Sequence, residues 1–257
     1  MTDTVLIANR GEIAVRLLRA ARMLGMRTVA VFSDADRGAP HVRLADEAVR
    51  LGPAAPRESY LRAGAIVDAA MATGAQLIHP GYGFLSEDSD FAESVEGAGL
   101  TFVGPTPHQL RVFGTKHTAR AAAMAAGVPV FPGSGLLGNA AEAVAAANTI
   151  GYPVMLKATG GGGGIGMQVC RDAGDLRAAF DRVTRVAERS FGSAAVFVER
   201  FVERARHVEV QIFGDGAGCV VSLGDRDCSL QRRNQKVIEE APAPQLPDTV
   251  RAQLHSS

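Results

Sequence analysis

The sequence contains no tryptophan, and aromatic residues make up only 5% of its 257 positions, so any core must be built largely from aliphatic side chains. Cysteine is scarce as well. Cys170, Cys219 and Cys228 are odd in number and form no C-x-x-C pair, so neither a disulfide framework nor a zinc site is expected and the three read as ordinary thiols. No apolar run is long enough to span a bilayer and no secretory pattern opens the chain, so the expectation is a cytoplasmic protein with no membrane partner. Charge of neither sign is in excess. With 27 basic and 27 acidic residues there is no general electrostatic reason to bind nucleic acid. Gly-Lys-Ser and Gly-Lys-Thr are absent, and Gly114-Thr115-Lys116 has its residues in the wrong order, which excludes a Walker-type phosphate loop.

What the chain does have is glycine concentrated in one place. Lys157-Ala158-Thr159 is followed by five consecutive glycines, Gly160 to Gly164, and then by Ile165-Gly166-Met167. Without Cβ atoms such a run can enter turns closed to other residues and bring its N–H groups against an anion, while the lysine supplies charge. A flexible tether has the same composition. The flanks decide between them: Val154-Met155-Leu156 and Met167-Gln168-Val169-Cys170 both read as short strands, which makes the glycines the tip of a hairpin able to cover a nucleotide triphosphate. The stretch Gly133-Ser134-Gly135-Leu136-Leu137-Gly138 satisfies G-x-G-x-x-G, but Pro129 and Pro132 crowd the preceding segment and no acidic residue lies about twenty positions beyond, so the match is taken as a loop coincidence.

The first hundred residues alternate strand and helix signals as a parallel sheet requires. Strands are expected at 4–8, 28–32, 77–79 and 101–103, and helices at 13–24, 60–71 and 91–98. Asn9-Arg10-Gly11 and His79 through Phe84 follow strand C-termini, where open α/β sheets hold ligands. The texture changes after Pro105. Two helical stretches flank Gly114, an alanine-rich helix covers 140–148, and a further helix covers 175–188. Strands follow at 196–202, 207–213 and 219–223, the last two joined by an Asp215-Gly216 turn and so antiparallel. Alternation places Val208, Val210 and Ile212 on one face and His207, Glu209 and Gln211 on the other. The dense polar run from Asp225 to Lys236 reads by itself as a solvated loop, though it is rich in groups able to contact phosphate.

Five separated motifs together resemble the biotin carboxylase component of biotin-dependent carboxylases, an ATP-grasp enzyme. They are Ile7-Ala8-Asn9-Arg10-Gly11-Glu12-Ile13-Ala14, His79 through Glu87, the glycine hairpin, Arg206-His207-Val208-Glu209, and Arg226-Asp227-Cys228-Ser229 through Lys236. The resemblance covers essentially the whole chain. It implies an α/β fold in which an N-terminal doubly wound parallel-sheet domain (1–113) precedes an incomplete ATP-grasp domain (114–257), with a glycine-tipped lid from about residue 130 to 203.

The implied reaction is ATP-dependent carboxylation of biotin by bicarbonate through carboxyphosphate. By resemblance Lys116 and Lys157 contact the ATP phosphates, and Gly163 and Gly164 cover them through backbone N–H groups. Glu199, Arg200, Phe201 and Val202 form the hinge beside adenine. His207, Gln231 and Asn234 complete the nucleotide pocket, and Lys236 faces bicarbonate and the transferring phosphoryl group.

Gly-Ile-Gly-Met-Gln at 164–168, with Ile165 where the acyl-CoA and pyruvate carboxylases carry a basic residue, and Arg-Arg-Asn-Gln-Lys at 232–236, with Asn234 where they carry histidine, look like urea carboxylase. Phe191-Gly192 ahead of Phe197 through Val202 points the same way. Asparagine can donate a hydrogen bond there but cannot carry a proton near neutral pH.

The implied cofactors are ATP, Mg²⁺ and carrier-linked biotin. The implied partners are a biotin carboxyl carrier domain, a carboxyltransferase domain or subunit, and a second copy as homodimer. No metal ligand is assigned here, because the resemblance places the magnesium ligands, the base for bicarbonate and the biotin contacts beyond Ser257, making a fragment inactive alone the expectation. The alternatives are an acyl-CoA carboxylase subunit, another ATP-grasp carboxylate–amine ligase, and a non-catalytic ATP-binding module.

Overall fold

The computed structural model describes residues 3–160, 165–232 and 235–256. Two compact units, Met1–Gly114 and Thr115–Ser257, make up the chain.

The first unit holds β1 (Thr4–Ile7), α1 (Gly11–Met23), β2 (Arg27–Ser33), α2 (Pro40–Leu44), β3 (Glu47–Gly52), α3 (Ala63–Thr73), β4 (Leu77–His79), α4 (Ser89–Gly97), β5 (Thr101–Phe102) and α5 (Pro107–Phe113). All five strands are parallel in the order β3-β2-β1-β4-β5, which is the doubly wound arrangement. Strand β1 shows why both faces must be covered, since all four of its residues are buried. Val5 and Ile7 pack with Ala14, Leu17, Leu18 and Ala21 of α1, while Leu6 packs on the opposite face with Ile66, Ala69 and Ala70 of α3 and Phe91, Ala92 and Val95 of α4. Each fully buried leucine or isoleucine contributes about 1.5–3 kcal/mol, and the aliphatic composition suffices.

The strand at Glu47–Gly52 was not expected. It pairs only with β2, and an edge strand half-open to water can carry Glu47 and Arg50 without losing its ladder. Tyr60 lies ahead of α3 rather than in it, fully buried, its hydroxyl accepting from Ser33 N (3.0 Å) and donating to Asp36 (2.7 Å).

The second unit holds α6 (Lys116–Ala125), α7 (Ala140–Ile150), β6 (Val154–Ala158), β7 (Met167–Cys170), α8 (Ala173–Phe191), β8 (Val196–Arg200), β9 (Val208–Gly214), β10 (Val220–Arg232), β11 (Gln235–Glu240) and α9 (Asp248–Ser256). Strands β7-β6-β8 form one antiparallel sheet and β11-β10-β9 another. Asn139 caps α7 by accepting from Glu142 N (2.9 Å), and Asp172 caps α8 by accepting from Gly174 N (2.8 Å) and Asp175 N (2.9 Å). Both helices cover one face of the first sheet, burying Val144, Ala147, Leu176, Phe180 and Val183 against Val154, Leu156, Val196 and Val198. Cys170 lies in this core, and burial pushes its thiol up to about 11, so it is inert.

The segment 133–138 runs beside β8, with isolated bridges from Gly133 to Glu199 and from Leu137 to Val196. It is therefore sheet edge and not a dinucleotide loop.

The polar run at 225–236 is a correction to the sequence reading. Most of it is strand, Val220–Arg232 followed by Gln235–Glu240, with Arg233 and Asn234 outside the described residues. Its two faces do different work. Buried Asp225 accepts from Ala243 N (2.6 Å), Arg251 Nε (2.8 Å) and His255 Nε2 (3.0 Å), tying α9 and the preceding loop to the strand. Asp227 accepts from Arg206 (2.7 Å) on the same side, and Arg226 points to the other. Ile212, Phe213, Leu223, Leu230, Val237 and Ile238 of this sheet are exposed.

Gly166 stands at the base of the β6–β7 hairpin. Its φ is +69°, its carbonyl accepts from Ala158 N (2.8 Å), and an added Cβ would sit 2.9 Å from the Ala158 Cβ. Gly166→Ala is expected to destabilise the second unit by about 1–3 kcal/mol, read as a lowered melting temperature; an unchanged transition would mean that the hairpin base adapts without strain.

Candidate active site

Two constellations of charged side chains stand in the second unit. The first arises because helices α7 and α8 cover only one face of the β7-β6-β8 sheet, so alternate residues of β6 and β8 are left on the other. Lys157 and Glu199 lie there, two residues out of register across the β6–β8 ladder, each about one fifth exposed, and form an ion pair. Lys116 opens α6, whose first turn is tied down by the bond from Lys116 N to Thr159 O (3.3 Å). Together with Ala119, Arg120, Pro129, Val130, Phe131 and Phe197 these residues line a cleft of 570 Å³.

Electrostatics in the cleft favour an anion. The Lys116 ammonium is held below its usual pKa first by burial and then by the neighbouring Lys157, with Glu199 opposing. A site in which one lysine is made harder to protonate by another gains when negative charge enters. The lining combines Lys116, Arg120, Lys157 and Glu199 with the apolar Pro129–Phe131 segment and Phe197, which is the mixture a nucleotide requires.

The second constellation lies on the polar face of the β11-β10-β9 sheet. Arg226 and Glu209 are directly opposite across β10 and β9, and Gln231 is opposite Lys236 across β10 and β11. Glu209 accepts from Lys236 Nζ (2.5 Å) with one oxygen and from Arg226 Nε (2.9 Å) and Nη2 (2.5 Å) with the other. Glu239 lies 3.7 Å from both cations. Burial pushes the Glu209 carboxyl up, but the bonds from Lys236 and Arg226 outweigh it and hold the group at about 2. In return Glu209 raises Lys236 above the ordinary lysine value. Gln231 Nε2 lies 2.8 Å from His207 Nδ1 and donates to Cys228 O (2.8 Å), so Gln231 fixes the imidazole.

The expected site residues thus fall into groups. Lys116, Lys157 and Glu199 share the cleft; His207, Gln231 and Lys236 share the second face. Arg200 turns its side chain to the carbonyls of Ile150 (2.7 Å) and Gly151 (3.1 Å), so the side chain takes no part in the expected hinge. Phe201 N donates to Pro153 O (3.0 Å), and Val202 follows it as an exposed residue. Gly163, Gly164 and Asn234 lie outside the described residues. Glu209 and Arg226 had no assigned role; the signal for Glu209 was its place on the polar side of the 207–213 alternation.

Glu209, Cys228 and Glu239 bring potential ligand atoms within 4.8 Å of one another. They do not suit magnesium. Mg²⁺ prefers an octahedral shell of oxygens, whereas here one donor is a thiol held protonated by burial and Glu209 is already neutralised by two cations.

In the first unit, Asn9 and His79 stand at the C-terminal ends of adjacent β1 and β4. Asn9 Nδ2 donates to Pro80 O (2.7 Å) and Tyr82 O (2.8 Å), and Arg10 lies over the Tyr60 and Phe84 rings at 5.5 and 5.6 Å. These contacts stitch the two loops expected to flank a ligand crevice. No helix among the described residues is long and apolar enough to cross a membrane.

Residues 1–110 match the biotin carboxylase, N-terminal domain family, and residues 115–257 match the carbamoyl-phosphate synthase L chain, ATP binding domain family. The chain is 53% identical to urea amidolyase of Saccharomyces cerevisiae over 99% of its own length and 14% of that protein. It is 54% identical to the mitochondrial methylcrotonoyl-CoA carboxylase subunit alpha of Oryza sativa (98% and 34%) and 53% identical to biotin carboxylase of Pseudomonas aeruginosa (99% and 57%). It thus spans little more than half, or much less, of these relatives.

Among solved structures, the Campylobacter jejuni biotin carboxylase–β-γ-ATP complex superposes with a TM-score of 0.96 at 43% identity, covering all of this chain and 58% of that one. The biotin carboxylase domain dimer of Hydrogenobacter thermophilus 2-oxoglutarate carboxylase, solved with MgADP, ADP and bicarbonate, gives 0.94 at 44% identity, covering 100% and 56%. With both units matched in order and the fold shared end to end, the chain belongs to the biotin carboxylase family, as its N-terminal domain joined to its ATP-binding domain.

Proposed function

We propose that this chain holds ATP and supplies part of the site at which bicarbonate is phosphorylated, within a protein that carboxylates biotin. The observation that carries the reading is the cleft in which Lys116 and Lys157 face a single carboxylate at the base of the glycine hairpin. In the proposed reaction a bicarbonate oxygen attacks the terminal phosphorus of ATP and the bond to the ADP oxygen breaks. Carboxyphosphate then releases carbon dioxide to a ureido nitrogen of biotin, whose proton passes to the departing phosphate. The chemistry needs positive charge where phosphoryl oxygens gather charge, and no protein nucleophile. Lys116 and Lys157 meet the phosphates, and Lys236, aimed by Glu209, meets bicarbonate.

We further propose urea as the final carboxyl acceptor, in a separate carboxyltransferase domain, from Ile165 and the 232–236 run noted above. The same proposal includes a carrier domain for biotin and pairing of two copies, as in the dimeric 2-oxoglutarate carboxylase domain. The test is phosphate release from Mg-ATP by the full-length protein and by the 257-residue chain, each with and without bicarbonate and biotin, then with urea or an acyl-CoA. Release that requires bicarbonate and biotin and is driven further by urea supports the whole reading. Release indifferent to biotin would sink the carboxylase assignment, and stimulation by an acyl-CoA alone would sink the urea assignment.

A further inference from the structure

Arg120 follows Lys116 by one helical turn, so α6 presents Lys116, Ala119 and Arg120 together to the cleft. Like charges at this spacing destabilise an isolated helix, and α6 has no acidic residue in its first turn to offset either the lysine or the helix dipole. Among the described residues Arg120 makes no ion pair. One arm of its guanidinium donates to Phe131 O, in the apolar wall of the cleft. The fit against that wall depends on a missing side chain: a Cβ on Gly133 would lie 3.1 Å from the Arg120 guanidinium carbon and 3.2 Å from the Glu199 Cβ. The cleft lining therefore carries Lys116, Arg120 and Lys157 against Glu199 alone, and that carboxylate is already taken by Lys157. Two positive charges remain for a ligand.

We propose that Arg120 is a third phosphate-reading cation of this cleft, steadied by the Phe131 carbonyl, and that it makes affinity rise with the number of phosphates on the nucleotide. The inference rests on the nucleotide reading above and adds a residue and a selectivity to it. A planar guanidinium held at one arm keeps further N–H donors in fixed geometry, which suits phosphate oxygens better than a mobile ammonium does.

Calorimetric titration of the 257-residue chain with ATP, ADP and AMP tests it, using wild type, Arg120→Gln and Arg120→Lys, with circular dichroism to confirm folding. Glutamine can still donate to the Phe131 carbonyl, so it removes the charge while keeping the wall. The expected result for Arg120→Gln is a loss of about tenfold in ATP affinity, a smaller loss for ADP and almost none for AMP, with lysine restoring part of the ATP loss. Equal losses for all three nucleotides would mean that Arg120 only supports the wall, and no loss would mean that it does neither; each overturns the inference. Wild type failing to bind ATP would instead overturn the nucleotide reading, and this inference with it.

Discussion

Replacing Lys157 with methionine is expected to weaken ATP binding by about 10- to 100-fold, and Lys116→Met by a similar factor, because each removes a charge-assisted hydrogen bond worth about 1.5–3 kcal/mol. Removing Lys157 also strands Glu199, which is only one fifth exposed and would then repel phosphate. The paired variant Lys157→Met with Glu199→Gln separates the two effects: affinity recovers partly if repulsion by Glu199 contributes. The pH dependence has a definite sign. Lys116 binds phosphate in its charged form, and burial together with Lys157 lowers its pKa below 10.5, so affinity falls on the alkaline side before an ordinary lysine would titrate. Deleting Lys157 removes a repelling charge and frees Glu199 to attract, so in Lys157→Met this alkaline limb moves to higher pH. Calorimetric ATP titrations across the alkaline range check both points. An alkaline limb that stays in place would show that Lys116 and Lys157 do not share one site.

The sequence disclosed those parts of this arrangement that follow from a single periodicity. The buried β1 run, the apolar stripe of α1 and the hairpin flanks of the glycine tip each announce their element without help from the rest of the chain. The first part of β10, expected as a strand at 219–223, was legible, but its continuation from Asp225 was not, because both faces there are polar for unrelated reasons. Asp225 and Asp227 hold α9 and the loop before it, while Arg226 pairs with Glu209, so no apolar face remains to reveal a period of two. The same limitation hid β3, whose edge position tolerates charge. The charged residues named from the motifs fall into two groups, Lys116, Lys157 and Glu199 in the cleft and Lys236 on the other sheet, with Arg200 turned away from both, and what aims them was not visible. Glu209 reaches Lys236 across 27 positions of sequence, and Arg120 meets the cleft wall only because Gly133 leaves room.

Lys236→Met in the full-length protein is expected to reduce bicarbonate-dependent phosphate release on the order of 10²- to 10³-fold, the range for losing a charge aimed at a developing oxyanion. ATP affinity, set by the Lys116–Lys157 cleft, is expected to stay nearly unchanged. Glu209→Gln refines the argument because it keeps Lys236 and removes what aims it. Glu209 raises the Lys236 pKa and is itself held at about 2 against a usual 4.5. The carboxylate therefore contributes fully above pH 4.5 and is lost as pH falls towards 2, while Lys236 contributes below its ordinary 10.5 and is lost only as pH rises through its higher folded value. The wild-type network is thus charged throughout the neutral range, and neither group imposes a limb on the rate between pH 6 and 9. In Glu209→Gln the main support for Lys236 is gone, Glu239 stays 3.7 Å away and Arg226 remains beside it, so an alkaline limb enters from above. A pH–rate profile of the variant identical in shape to that of the wild type would show that Lys236 is not positioned by Glu209. Undiminished phosphate release in Lys236→Met would remove Lys236 from the reaction altogether.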